Sequence, residues 1–259
     1  MNTPIVTLTT DWGDGSFFAG MVKGLLYNLV DNVQVVDICH KLEAYNVMTA
    51  TFVVRHACLG FPPGTVHIID VASQQPYLCV KARNQYYLCS DNGLPHMVFG
   101  DEIEDVSLLP TEEGVIYNFA AYNLFVPAAA KLLRGATMRD LGEPPAQIKQ
   151  RTLPRYIKQG DNYRIYVHHI DSYGNAYLGM TYREFAELRG SRNFVLTVRD
   201  AEVTELMLDY HQQRSNSDPN HKMRLTVSAT GLLELALKES SLARLIGLRV
   251  NDSVLLRFK

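Results

Sequence analysis

At 259 residues and 47% apolar content, the chain is long enough to fill the core of one large domain or two small ones. Its 25 Lys and Arg against 27 Asp and Glu leave a formal net charge of −2 with no Lys/Arg run, so the basic footprint of a nucleic-acid or anionic-membrane binder is missing. The longest apolar-rich region, 119–133, is interrupted by Asn123 and Pro127, and the start has no basic-then-apolar export pattern; the expectation is a cytoplasmic protein with neither nucleic acid nor membrane as partner.

The first predicted element is a β-branched run at 5–8 that leads into Asp11-Trp12-Gly13-Asp14-Gly15. In an open α/β sheet ligands gather outside the carboxyl ends of the strands, which puts Asp11 where a carboxylate accepts hydrogen bonds from two sugar hydroxyls. The same residues also make an ordinary Asp/Gly turn, and that reading stays open. Ser16 fits an N-cap for the helix that follows, and Phe17, Met21 and Leu25 share one stripe at helical spacing, expected to face the core. Strand-like runs at 33–38, 66–71, 78–82 and 86–89 alternate with a helix at 47–59, stopped by Pro62-Pro63-Gly64, and another at 126–134, stopped by Gly135. This pattern predicts an α/β domain with a parallel or mixed sheet over 1–142. Asp37-Ile38-Cys39-His40 and Ser90-Asp91-Asn92-Gly93-Leu94 repeat the polar strand end seen at Asp11, and three such ends point to a cleft.

Residues 143–160 carry Pro144, Pro145 and Pro154, which forbid a continuous helix or central strand and predict a linker. Beyond it, short turn-bounded runs at 163–170, 176–180, 193–198, 224–228 and 253–258, with one helix near 182–188, predict a small β-rich, barrel-like domain over 161–259. The tract 211–221 reads as a polar loop whose His211 and His221 are solvated, so no metal site is expected. Cys39, Cys58, Cys79 and Cys89 have no CxxC spacing and read as reduced core residues.

Taken in order, the three polar strand ends, then Phe125-Val126-Pro127-Ala128-Ala129-Ala130 with Leu141-Gly142, then His169-Ile170-Asp171-Ser172-Tyr173-Gly174-Asn175 and a final segment at 228–236 resemble the S-adenosyl-L-methionine (SAM) hydroxide adenosyltransferase family, whose relatives include fluorinating and chlorinating enzymes. The resemblance spans almost the whole chain. It implies a homotrimer that holds SAM between the α/β domain of one subunit and the C-terminal domain of its neighbour. It implies no separate cofactor, the small-molecule partner being SAM or adenosine itself. Carried over residue by residue, Asp11 matches the acid on the ribose hydroxyls. Tyr45 matches an aromatic packed near the sulfonium, with an ordinary buried tyrosine as the alternative. Asp171 matches the acid on the methionine ammonium, Asn175 the amide that reads the adenine edge, and Tyr210 an aromatic stacked on adenine. Asp171 to Asn175 also reads as an Asp-containing turn with Gly174. Ala229 stands where the family has a Ser for the methionine carboxylate.

The catalytic region departs from the family. Where the hydrolases follow Gly-Thr-Val-His with Asp-Pro-Gly-Val-Gly-Thr and an Arg, Gly64-Thr65-Val66-His67 here leads into Ile68-Ile69-Asp70-Val71-Ala72-Ser73. A gapless placement puts Ala72 at the acid, with Asp70 on the same face about 7 Å further back, so Asp70 becomes the catalytic candidate only through a bulge or slip. Ala120 replaces the family's His, and the Arg has no counterpart. His67 and His96 are the alternative bases, His67 on the strand face opposite Asp70. Two functions are compatible with this pattern: a SAM hydrolase, weak in activity, in which water attacks ribose C5′ to give adenosine and methionine, or a non-catalytic SAM- or adenosine-binding protein.

Overall fold

The computed structural model describes residues 3–112, 114–115, 117–208 and 223–259, which fall into two units, Met1–Leu153 and Pro154–Lys259. In the first unit the apolar runs become β1 (Ile5–Thr10), β2 (Gln34–Cys39), β3 (Val66–Asp70), β4 (Tyr77–Ala82), β5 (Gln85–Ser90) and β6 (Ile103–Leu108). They form one sheet in the order β2-β1-β3-β5-β4-β6. The first four in that order are parallel, while β4 runs antiparallel to both β5 and β6, so the sheet is mixed.

Every residue of β3 is buried, as expected of a central strand covered on both faces. Val66 and Ile68 pack with Val22 and Leu26 of α1 (Phe17–Leu29) and Ala129 of α4 (Val126–Leu133). On the other face Ile69 packs with Ala50 of α2 (Val47–Val53) and Met97 of α3 (Leu94–Phe99). Ser16 caps α1 through the Phe18 amide, as its position predicts. Of the stripe expected to face the core only Leu25 packs against it: Phe17 is 70% and Met21 41% exposed, and Val22 and Leu26 are the buried positions. The helix is apolar on two adjacent stripes, so period alone did not fix which one turns inward.

The second unit is built from β7 (Tyr156–Gln159), β8 (Asn162–Ile170), β9 (Ala176–Thr181), β10 (Phe194–Val198), β11 (Ala201–Val203), β12 (Met223–Val227), β13 (Leu232–Leu237) and β14 (Ser253–Phe258). Their order is β11-β10-β14-β8-β9-β13-β12, with β7 paired to β8. All these pairings are antiparallel. A bridge between Leu206 and Leu225 draws the two ends of the sheet together, giving a nearly closed barrel around Ile165, Leu178, Leu196, Leu225, Leu235 and Leu256. β7 lies within the proline-rich stretch: the last proline is Pro154, so residues 156–159 keep the amides that pair with β8. Among the described residues no helix is long and apolar enough to cross a membrane.

Candidate functional site

The strand order β2-β1-β3 reverses direction at β1, so the crevice at the carboxyl ends of β1 and β3 is the topological switch point where open α/β sheets take ligands. Two carboxylates stand there. Asp70 ends β3 in register with Thr10 of β1, and Asp11 is the next residue of the β1 chain. Asp11 Oδ2 accepts the backbone N–H of Tyr45 at 2.9 Å and of Ala72 at 3.2 Å. Both donors have left-handed backbones, φ +63° at Tyr45 and +48° at Ala72, a conformation that costs a non-glycine residue about 1–2 kcal/mol. The charge-assisted bonds to one carboxylate oxygen offset that strain and tie two loops to the β1 terminus. Asp11 Oδ1 receives no hydrogen bond among the described residues. The ring of Tyr45 is 80% exposed, which overturns the alternative of a buried tyrosine.

Asp70 is 4% exposed. The indole N–H of Trp12 donates to its Oδ2 at 2.9 Å, and Oδ1 has no donor among the described residues. Burial pushes the carboxyl above its ordinary range; the nearby Ser73 hydroxyl and the Trp12 N–H pull it back, while the charge of Asp11 pushes it further up. Burial likewise raises the Tyr77 phenol beside them. Trp12 is itself held: its ring stacks on His40 at 5.8 Å and meets the edges of Phe18 at 6.2 Å and Phe119 at 5.1 Å. His40 is fixed in turn by its Nδ1, 2.8 Å from Thr10 Oγ1. The third polar strand end supplies the floor, where Asn92 donates to the Val71 carbonyl at 3.0 Å and Ser90 accepts the Gln74 amide at 2.9 Å. The ends of β1, β2 and β5 therefore do converge. Because β3 stops at Asp70 and Ala72 turns with positive φ, strand alternation does not carry past Asp70, and Asp70 stands beside Asp11 without any bulge in β3.

Sequence reasoning missed Trp12, Ser73 and Tyr77. One signal was available for the first of them: Trp12 is the only tryptophan of the chain and sits in the glycine-rich turn directly after Asp11.

The alternative bases lie elsewhere. His67 is buried on the other face of β3, its Nδ1 2.7 Å from Thr7 Oγ1 and its ring stacked on Tyr87 at 4.6 Å. Burial drives its pKa from 6.5 down to about 4, so it stays neutral in the fold. The unfolded chain takes up that proton more readily, so the contribution of His67 to stability is full above pH 6.5 and declines as pH falls toward 4. Between neutrality and about pH 5 this amounts to about 2 kcal/mol, read as a drop in urea midpoint that His67→Gln should largely remove. A drop of equal size in the variant would place the proton uptake elsewhere. His96 Nδ1 lies 2.7 Å from the Arg151 carbonyl oxygen. Ala120 is buried in the core at the start of the 121–125 turn and offers no base. Cys58, Cys79 and Cys89 are buried free thiols whose pKa values burial raises, whereas Cys39 is only partly buried.

In the second unit the Asp171–Asn175 turn is closed by its own side chains. Asp171 Oδ1 accepts the amides of Tyr173 at 3.0 Å and Asn175 at 2.9 Å, and Oδ2 accepts Asn175 Nδ2 at 3.2 Å. Gly174 has φ +84°, and a Cβ there would lie 2.0 Å from Ser241 Oγ, so the turn needs glycine for both its conformation and its packing. Beside it opens a groove of ≈ 430 Å³ lined by Ser172, Tyr173, Asn175, Ser241 and Arg244 among others. Tyr210 lies outside the described residues, as does the 211–221 tract.

The SAM hydroxide adenosyltransferase N-terminal domain model matches residues 6–142, and the C-terminal domain model matches 165–255. The chain belongs to the SAM hydroxide adenosyltransferase family. Among its relatives is the (R)-S-adenosyl-L-methionine hydrolase of Methanocaldococcus jannaschii, 33% identical over a stretch that spans 35% of this chain and 37% of that protein. The (R)-S-adenosyl-L-methionine hydrolase of Salinispora arenicola is 24% identical over 98% of this chain and 97% of its own length. The fold is also that of an uncharacterized conserved protein from Thermotoga maritima, with a TM-score of 0.82 at 20% identity, covering 98% of this chain and 99% of the other.

Within the SAM hydroxide adenosyltransferase frame, the acid at the mouth of β3 is Asp70, packed against an indole, and neither Ala72 nor Ala120 supplies a titratable side chain.

Proposed function

We propose that this SAM hydroxide adenosyltransferase family member hydrolyses SAM to adenosine and methionine, with Asp70 as the carboxylate that receives the proton of the attacking water. The observation that carries the reading is a buried acceptor, Asp70 Oδ1, with no hydrogen-bond partner among the described residues, beside Asp11 at the β1/β3 switch point. The name of the Salinispora arenicola relative, matched over nearly its whole length, supports the reaction class.

Water oxygen bonds to C5′ as the C5′–S bond breaks, the electron pair passes to sulfur to leave neutral methionine, and the water proton passes to Asp70. No acid is needed for the leaving group. The chemistry rests on holding the water in line and partly deprotonated, and a positioned base contributes about 10²–10⁴ in rate. Burial raises the affinity of Asp70 for protons toward that of a useful base, and the approach of a sulfonium cation favours its ionised form. Asp11, with Oδ1 uncommitted, is assigned to the ribose hydroxyls, Tyr45 to the face of the sulfonium, and Asp171 and Asn175 to the amino-acid and adenine ends. The family's trimer is the assembly we assign to it.

The second reading, SAM binding without turnover, is favoured by Ala72 at the family's acid position, Ala120 at its His and the absence of a counterpart to its Arg. Incubation of the protein with SAM, followed by chromatography beside a calorimetric titration, separates the two. Adenosine and methionine in equal amounts support hydrolysis; saturable heat of binding without products supports the second reading. Placing the family's acid back at its gapless position by Ala72→Asp is expected to change the rate less than about threefold, because an isolated carboxylate lacks partners to orient it. A gain of tenfold or more would return the catalytic position to residue 72.

A further inference from the structure

We infer that Trp12 is a positioning residue for this reaction: its indole N–H anchors one oxygen of Asp70, so that the other is presented to the attacking water. The inference rests on the hydrolase reading above. Its ground is geometric. A carboxylate with two unanchored oxygens rotates about its terminal torsion, which is broad and two-fold. Here Nε1 of Trp12 fixes Oδ2 at 2.9 Å, and the indole cannot follow a rotating carboxylate because His40, Phe18 and Phe119 contact it. Oδ1 remains as a buried acceptor with no protein donor among the described residues.

The ring has a second effect. By donating to the ionised carboxylate it helps the Ser73 hydroxyl hold Asp70 lower than burial and Asp11 alone would set it. The titratable groups around this point are Asp11, Tyr77 on β4 and His40 stacked behind the indole. Loss of the N–H therefore has a signed consequence: Asp70 must lose its proton at a higher pH, and the acidic limb of the rate profile moves upward.

Because Trp12 is the chain's only tryptophan, it is open to tests that leave the sequence intact. Trp12→Phe keeps an aromatic ring and removes the donor; the expected result is a kcat lowered roughly tenfold, KM within about threefold, and an acidic limb displaced to higher pH. Uniform incorporation of a fluorinated tryptophan, a stronger indole donor, is expected to move the same limb to lower pH in an otherwise native protein. The single indole N–H resonance should titrate with that limb, and should stop doing so in Asp70→Asn. An unchanged limb in both Trp12→Phe and the fluorinated protein, with Asp70→Asn inactive, would overturn the role of Trp12 and leave the hydrolase reading standing. Full activity in Asp70→Asn would instead overturn the hydrolase reading on which it rests.

Discussion

Asp70→Asn is expected to lower the rate of adenosine release by roughly 10²–10⁴ while SAM affinity stays within a few fold. Asn is nearly isosteric and its carbonyl oxygen still accepts the Trp12 N–H, so the indole keeps its place. What disappears is the capacity to take a proton. Stability should not fall, because the substitution removes a carboxyl whose ionised form burial already disfavours. Single-turnover measurement of adenosine, with calorimetry of SAM binding in parallel, checks both halves. A variant that binds normally and turns over at the native rate would remove Asp70 from the chemistry. A variant that loses binding with activity would make Asp70 a ligand contact and not a base.

The second large effect is expected at Asp11. Asp11→Ala removes the acceptor shared by the Tyr45 and Ala72 amides and leaves two strained loops untied. Hydrogen bonds to a charged group contribute about 1.5–3 kcal/mol, so both folding stability and SAM binding should fall by amounts of that order, the latter roughly 10- to 100-fold. Asp11→Asn separates the two effects. Its side-chain oxygen still accepts both amides, so melting should stay near native, whereas a neutral acceptor holds ribose hydroxyls less strongly and affinity should drop by about tenfold. Native affinity in both folded variants would take the ribose away from Asp11.

The α/β unit was legible as a parallel or mixed sheet because its strands alternate with helices and end in polar turns, and the second unit as β-rich and barrel-like because its runs are short and turn-bounded, although β6 and β13 were not read as strands. α1 was legible as a helix but not in its rotation, since Phe17, Phe18, Met21 and Val22 are all apolar and only contact with the sheet selects Val22 and Leu26. Asp11 and Asp70 were visible as acids near strand ends, yet their meeting was not. A pattern of alternating side chains extends only as far as the strand, and β3 ends two residues before the position that a gapless comparison selects. Nor does a turn motif announce its employment: Asp171 and Asn175 read equally as ligand groups and as an Asp turn, and their side chains hydrogen-bond each other and the turn's amides. Trp12 was the hardest to read, because its contacts with His40, Phe119 and Asp70 join residues far apart in sequence.

The measurement closest to the central claim is hydrolysis of SAM in water enriched in oxygen-18, with mass analysis of the products. Attack of water at C5′ predicts one heavy oxygen in the 5′-hydroxyl of adenosine and none in methionine, at a rate that depends on Asp70. Adenosine without the label, methylthioadenosine in place of adenosine, or no product under saturating SAM would contradict it.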